Sequence, residues 1–289
     1  MCRYVGTLAM SLGHDTIITI GTKLPPGLGI FGRLQALLRD PDADMDDIVK
    51  LVQVDPSLTF QVIRLSNSVL YGTKSSCQSL DDAIARVGLA ELQQIVGLAV
   101  ARQCFQGELE LFQISATRLW ENAVAIGTLM SAFATRVDGD RGAAYATGLL
   151  RNIGKIVLNN YPGGVSYPGV TDRPDLHAWE REVHGMTAVE VSAVLLDHWR
   201  FAPETVETMR GHLAPDPASV HAASIAQMHL ACAVAAEWGC ALPGEETCWT
   251  NDAGMRTLAG IKDDDWAGII ELAKQQYQRI AQLEWSAAA

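Results

Sequence analysis

Imidazoles, thiols and carboxylates are the side chains that hold metals or move protons, and this sequence scatters them. Its seven His stand at positions 14, 177, 184, 198, 212, 221 and 229. No two lie four residues apart, so no single helix turn presents the two-His face of a zinc hydrolase. His212, His221 and His229 lie close enough in sequence to meet in space, although single helical His are more often surface or core groups. The six Cys, at 2, 77, 104, 232, 240 and 248, contain no Cys-x-x-Cys spacing, and Pro243-Gly244 separates the last two. They read as small buried hydrophobes or free thiols of a reducing cytoplasm rather than as a zinc set or a disulfide framework. His14-Asp15 is a bare pair in an N-terminus that reads as unstructured. Gly163-Gly164 lacks the strand, helix and Lys of a phosphate loop. Asn67-Ser68 and Tyr71-Gly72 close an apolar helix, where such groups either cap the helix end or mark a contacted surface.

Helices must position all of these groups. Pro25-Pro26 precede a 3.6-residue pattern of Leu28, Phe31, Leu34, Leu37 and Leu38, which Asp40-Pro41-Asp42 stops. A second helix opens in the acidic run Asp44–Asp47 and carries Ile48, Leu51 and Val52. Asp55-Pro56 has the form of an N-cap followed by proline at the first helical position, opening a helix through Leu58, Val62, Ile63, Leu65 and Val69. Ser79 to Asp82 has capping-box spacing, and its helix stops at Gly88. Further helices are predicted over 90–105, 115–136, 141–159 with a break near Gly154, 174–198, from Pro203, 219–238 and 251–285, where a stripe runs from Trp266 to Leu283. Tyr161 to Gly169 and Leu242-Pro243-Gly244-Glu245 read as loops. Only Ile17–Ile20 looks strand-like. The fold class is therefore all-α.

A chain of 289 residues with 48% hydrophobic and 19% charged residues buries a large core and is neither disordered nor fibrous. The net charge is −11 and Lys and Arg form no cluster, which argues against nucleic acid as a partner. Apolar stretches are interrupted before membrane length, and the N-terminus lacks the regions of a signal peptide. A cytoplasmic location and no membrane partner are expected.

Two stretches together resemble a known family. The first runs from Leu24-Pro25-Pro26 through Asp55-Pro56-Ser57-Leu58-Thr59, Val62–Ser68 and Tyr71-Gly72 to Ser79–Leu89. The second contains Leu119-Trp120, Ala146–Lys155, Glu182 to Trp199, and Met209-Arg210-Gly211-His212. They resemble the HDOD (HD-related output domain) family of bacterial signalling proteins, whose second half is related to the HD phosphohydrolases. The resemblance covers roughly 22–285 and implies a helical-bundle subdomain over 22–105, a degenerate HD-like subdomain over 106–285, and an extension over 1–21.

HD phosphohydrolases hold metal through a His, a His-Asp pair and a later Asp, often with further His. The resemblance matches these positions here to Asn122, Arg151-Asn152, Cys232 and Ala188, leaving only His212 of that set. A cationic Arg beside one imidazole repels a divalent ion. The expectations are accordingly a non-enzymatic regulatory protein without metal or cofactor, acting through unidentified signalling proteins. With no residues left for a receiver, kinase or cyclase domain, its input would come from another protein or a ligand. The alternative is a sensor in which the vestigial pocket of Asn122, Arg151, Asn152, Ala188, His212 and Cys232 offers Arg151 to a small anionic ligand such as a nucleotide. A divergent metal-dependent phosphohydrolase using His212 is the remaining reading. Arg64, Asn67, Ser68 and Tyr71 form the candidate interface, because Arg and Tyr are favoured anchors of contact surfaces.

Overall fold

Local stop and start signals in the sequence set most of the helix ends. The computed structural model describes residues 12–68, 71, 76–162, 164–169, 171 and 175–281. Cys2, Val69, Gly72, Gly163 and Leu283, named above, lie outside these. In the first half α1 is His14–Gly21, α2 Gly27–Arg39, α3 Met45–Gln53, α4 Pro56–Ser66, α5 Leu80–Val87 and α6 Leu89–Cys104. In the second half α7 is Ala116–Arg136, α8 Arg141–Leu149, α9 Ile153–Asn159, α10 Leu176–His184 and α11 Ala188–His198. They are followed by α12 Pro203–Gly211, α13 Ala222–Glu237, α14 Ala253–Leu258 and α15 Asp263–Ala281. The fold is all-α. The only β-type pairing among the described residues is an isolated bridge between Leu109 and Ile114.

The caps form as the sequence predicts. Asp55 Oδ1 accepts from the backbone N–H of Ser57 at 2.9 Å and of Leu58 at 3.1 Å, with Pro56 at the first helical position. Ser79 and Asp82 complete a reciprocal capping box, and Gly88 ends α5 at φ +78°.

Several element readings need correction. Ile17–Ile20 is helical, within α1, and His14-Asp15 opens that helix rather than lying in unstructured chain. The β-branched run misled because α1 is stabilised by tertiary packing: Ile17 is buried, and a Cβ on Gly21 would meet Leu195 Cδ2 at 2.5 Å. The stretch 174–198 is two helices, split where Gly185 takes φ +80°. The break in 141–159 falls at Leu150–Asn152, and Gly154 lies inside α9. The tail 251–285 divides into α14 and α15 around Gly260, at φ +74°.

One apolar core runs through both halves, from Leu12 and Phe31 to Met209, Ala273 and Ile280. Two close approaches set the second half. A Cβ on Gly148 would meet Gly127 Cα at 2.6 Å, so α8 crosses α7 with the backbones in contact. A Cβ on Gly154 would meet the Ala188 carbonyl at 1.9 Å, which brings α9 against the start of α11. Arg151 and Asn152 lie between these two contacts, in the turn that joins α8 to α9. Among the described residues, no helix is long and apolar enough to cross a membrane.

Candidate functional site

The turn between α8 and α9 points Arg151 into the interior, where its side chain is almost wholly buried. Burial alone would favour loss of its proton, but Glu245 makes the guanidinium hold it more firmly than usual. Arg151 Nη1 pairs with Glu245 Oε2 at 2.8 Å and donates to Asn152 Oδ1 at 3.1 Å. Its Nε–H donates to His212 Nε2 at 3.0 Å. The guanidinium carbon also lies 4.8 Å from the centre of the Trp249 ring.

His212 follows the last turn of α12. Its Nδ1 lies 2.7 Å from the Met209 carbonyl, which only accepts, so Nδ1 carries the proton and Nε2 offers its lone pair to Arg151. Burial, and then the Arg151 charge, hold this imidazole well below its ordinary value, and it is neutral. The ring stacks on Trp249 with centroids 5.8 Å apart. His229 on α13 sits beside it: Nδ1 faces the His212 carbonyl at 2.8 Å and Nε2 accepts from the Thr250 backbone N–H at 3.0 Å. His212 and His229 thus meet, but through a carbonyl rather than as two ligands of one ion. His221 stands at the start of α13 as its N-cap.

A second cation extends the network. Lys155 Nζ on α9 lies 3.1 Å from Glu245 Oε1 and 3.2 Å from Glu180 Oε1 on α10. Glu180 Oε2 accepts from the Ala188 backbone N–H at 3.0 Å and faces His177 Nδ1 at 3.2 Å. Burial opposes ionisation of both carboxylates, but Lys155, joined at Glu245 by Arg151, holds each below the usual carboxylate range. Two buried cations and two buried carboxylates therefore balance, as a dry interior requires.

The remaining expected pocket residues line the same region. Asn152 Nδ2 donates to Asn122 Oδ1 at 2.7 Å, and Asn122 Nδ2 donates to the Cys240 carbonyl at 2.8 Å. Burial pushes the Cys232 thiol up to about 12, so it is a neutral neighbour of Arg151. Ala188 supplies only backbone. These residues do not fit a divalent metal. The His212 lone pair is taken by Arg151, the Asn oxygens face N–H donors, and a guanidinium stands where the cation would need ligands. Among the described residues, no three His, Cys, Asp or Glu gather as a metal site would require.

Sequence reasoning missed Glu245, Glu180, Lys155 and Trp249 as members of this site. Lys155 stood within the quoted motif, and its place as the one charged residue in the apolar run Ile153–Leu158 was the available signal. Glu245 lay in a Pro-Gly loop that reads as solvated.

The candidate interface is tied mostly to its own half. Asn67 is the C-cap of α4 and clamps the chain beyond it: Nδ2 donates to the Cys77 carbonyl at 2.9 Å, and Oδ1 accepts from the Cys77 N–H at 2.7 Å. Arg86 Nη1 lies 3.2 Å from Asn67 Oδ1. Ser68 Oγ is buried without a hydrogen-bond partner among the described residues. Arg64 is half-buried beside Arg102. Tyr71 packs partly into the core, and burial, then the nearby Glu91 carboxylate, raise its hydroxyl above the ordinary range.

Comparisons with known proteins agree on the fold. A family model for the HDOD domain matches residues 24–215. A Treponema pallidum (strain Nichols) protein described as uncharacterized is 26% identical over 191 residues, which is 62% of this chain and 35% of that one. The chain thus spans about a third of that relative's length. A solved Shewanella amazonensis SB2B structure, of a candidate phosphohydrolase, superposes with a TM-score of 0.69 at 24% identity, covering 93% of this chain and 98% of the other. A Geobacter sulfurreducens HDOD domain protein with unknown function gives 0.68 at 20% identity, covering 93% and 97%. A candidate signal transduction protein from Marinobacter aquaeolei VT8 gives 0.67 at 20% identity, covering 92% of this chain and 64% of that one.

Proposed function

Because the chain belongs to the HDOD family, we propose that it is a cytoplasmic, non-catalytic signal-transduction protein that acts by binding other proteins. One observation carries this reading: Arg151, which the family resemblance matches to the His of the metal-binding His-Asp pair, is buried with its guanidinium bound to Glu245 and to the His212 lone pair. A hydrolase of that class activates water on its metal, and the matched positions offer one no carboxylate and no imidazole whose lone pair is free. The name of the Marinobacter aquaeolei relative points the same way.

Three measurements test it together. Elemental analysis of the purified protein, with and without added Mn, Fe or Zn, is expected to find no stoichiometric metal. Phosphodiester hydrolysis above background, abolished by His212→Ala, would overturn the reading. Affinity capture from the source cells is expected to return a specific partner, and Tyr71→Ala protein that stays folded yet loses it would place the contact near that residue.

The sensor reading is supported by a single atom: Arg151 Nη2 is buried with no hydrogen-bond partner among the described residues. A carboxylate or phosphate reaching it would compete with Glu245. A ligand that raises the melting temperature of the wild type, but not of Arg151→Ala, would favour this reading, since only native-state binding stabilises.

A further inference from the structure

The first half carries a shallow recess, outside the buried ion network, where the start of α3, the outer face of α5 and the first residue of α6 meet. Met45 and Leu89 flank it with 39% and 36% of their surfaces exposed. Ile84 and Ala85 form its floor, Asp81 its edge, and the Gly88 corner closes it. Among the described residues, nothing lies within 4 Å of where a Gly88 Cβ would stand, and its φ is +78°. The recess volume is about 340 Å³, enough for one or two large apolar side chains.

Its surroundings are acidic. Asp40, Asp42, Asp44, Asp46 and Asp47 are exposed on α3 and its lead-in, as are Asp81 and Asp82 on α5. Among the described residues, Arg39 at the end of α2, Lys50 of α3 and Arg86 of α5 are the cations beside these seven aspartates. Arg86 turns inward, within 3.2 Å of both the Ser66 carbonyl and Asn67 Oδ1, while its charge still bears on Asp82. Lys50 lies 3.9 Å from Asp47. Asp81 lines the recess, Asp44, Asp46 and Asp47 neighbour Met45 in sequence and Asp82 neighbours Asp81, so the recess selects an apolar side chain flanked by cations and disfavours phosphate backbones and anionic membranes. A second copy of this chain is a poor occupant, because at −11 it brings more carboxylates and no Lys/Arg cluster.

Resting on the partner-binding reading above, we propose that this recess docks a basic amphipathic segment of a partner protein, with one or two apolar side chains between Met45 and Leu89 and Lys or Arg against the Asp rim. The mode is helix-in-groove recognition at its smallest scale.

The test uses the full chain and a labelled peptide of about 14 residues, with Leu at helical i, i+3, i+4 and i+7 positions and Lys elsewhere. Fluorescence anisotropy is expected to show saturable binding that weakens with added salt. Met45→Ser/Leu89→Ser changes no charge, and with a helical circular dichroism spectrum and a cooperative melt showing it folded, its affinity should fall at least tenfold. Asp81→Asn should weaken binding less. Val220→Ser, at a side chain 93% exposed in the second half, should change nothing. Three results would overturn the proposal: no binding, equal binding to the Met45/Leu89 double variant, or equal binding of a matched Leu/Glu peptide. Self-association of the wild type that the double variant lacks would also overturn it and assign the recess to a second copy. Stoichiometric metal or hydrolysis would defeat the non-catalytic reading without touching the peptide result, so the two failures are separable.

Discussion

Arg151 and Glu245 are held together by mutual need. Each is buried, and removing either leaves the Arg151, Lys155, Glu180 and Glu245 network with a net buried charge. Removing one member of such a pair typically costs about 3–5 kcal/mol, whereas replacing both by apolar residues of similar volume is often neutral. Glu245→Ala should therefore lower the unfolding free energy, read from urea titration, by an amount in that range, and Arg151→Met/Glu245→Leu should recover much of it. A double variant as unstable as the worse single one would mean that the pair is not the dominant interaction. The same cluster sets an acid response. His212 is neutral when folded, with a value held well below its usual 6.5. Above that value neither state takes a proton; below it the unfolded chain does and the folded one does not. Stability is thus fully present above about pH 6.5 and falls as the pH drops, by about 1.4 kcal/mol per pH unit for each such proton. His184 and His229 shift in the same direction, chiefly through burial, and add to the slope. Below about pH 4.5 Glu180 and Glu245 contribute as well, because both stay ionised in the fold below their ordinary value. Urea titrations across this window should show His212→Gln with a shallower slope between pH 5 and 6.5, by about one proton. An unchanged slope would mean that His212 is already charged in the folded protein.

Helix ends were the most legible elements because their causes are local. Asp55, Ser79, Asp82 and Gly88 act on backbone groups within four residues, so a single sequence contains the whole interaction. Asp55→Ala should cost about 1 kcal/mol, read as a shift in the urea midpoint, and an unchanged midpoint would place the helix start elsewhere. The α1 helix was not legible, since a β-branched run has the same pattern whether it pairs in a sheet or is pressed onto α9 and α11. The connection from α13 to α14 was less legible still. Its Pro243-Gly244-Glu245-Glu246 composition belongs to a solvated loop, yet Arg118 Nε holds the Ala241 carbonyl at 2.9 Å and Asn122 holds the Cys240 carbonyl at 2.8 Å. Those bonds fix the loop across the core and deliver Glu245 and Trp249 to Arg151. The partners are separated by about a hundred residues or more, and neither periodicity nor spacing carries that information. Arg151-Asn152 was legible as a site for the opposite reason: it sits in a contiguous motif, where each residue type is visible in place.

At the scale of the molecule, the two halves share more than a linker. α6 packs on α2 and α4 in the first half and on α8 in the second. At that seam Gln93 Nε2 donates to Gln35 Oε1 in the interior, a Cβ on Gly142 would meet Gln93 Oε1 at 2.0 Å, and Arg141 pairs with Glu91. Tyr71 lies near Glu91, Arg141 and Tyr145, bringing the end of the first signature to α8. The chain also crosses back: Leu12 N–H donates to the His184 carbonyl at 3.1 Å, and a Cβ on Gly32 would meet the Trp199 carbonyl at 2.2 Å. Contacts this close, with one continuous core, predict that neither half unfolds without exposing apolar surface of the other. The sequence provides a built-in probe, because all seven Trp lie between positions 120 and 285 and none in the first half. Tryptophan emission therefore reports the second half, while far-UV circular dichroism, helix-dominated with negligible sheet signal, reports both. The two urea transitions should superimpose with one midpoint. Emission that changes well before or after the helical signal would show that the halves are separate cooperative units and that the α6–α8 seam couples them only weakly. Gly142→Ala, which drives a Cβ into Gln93, should then be the variant that first separates the two curves if the coupling runs through this seam.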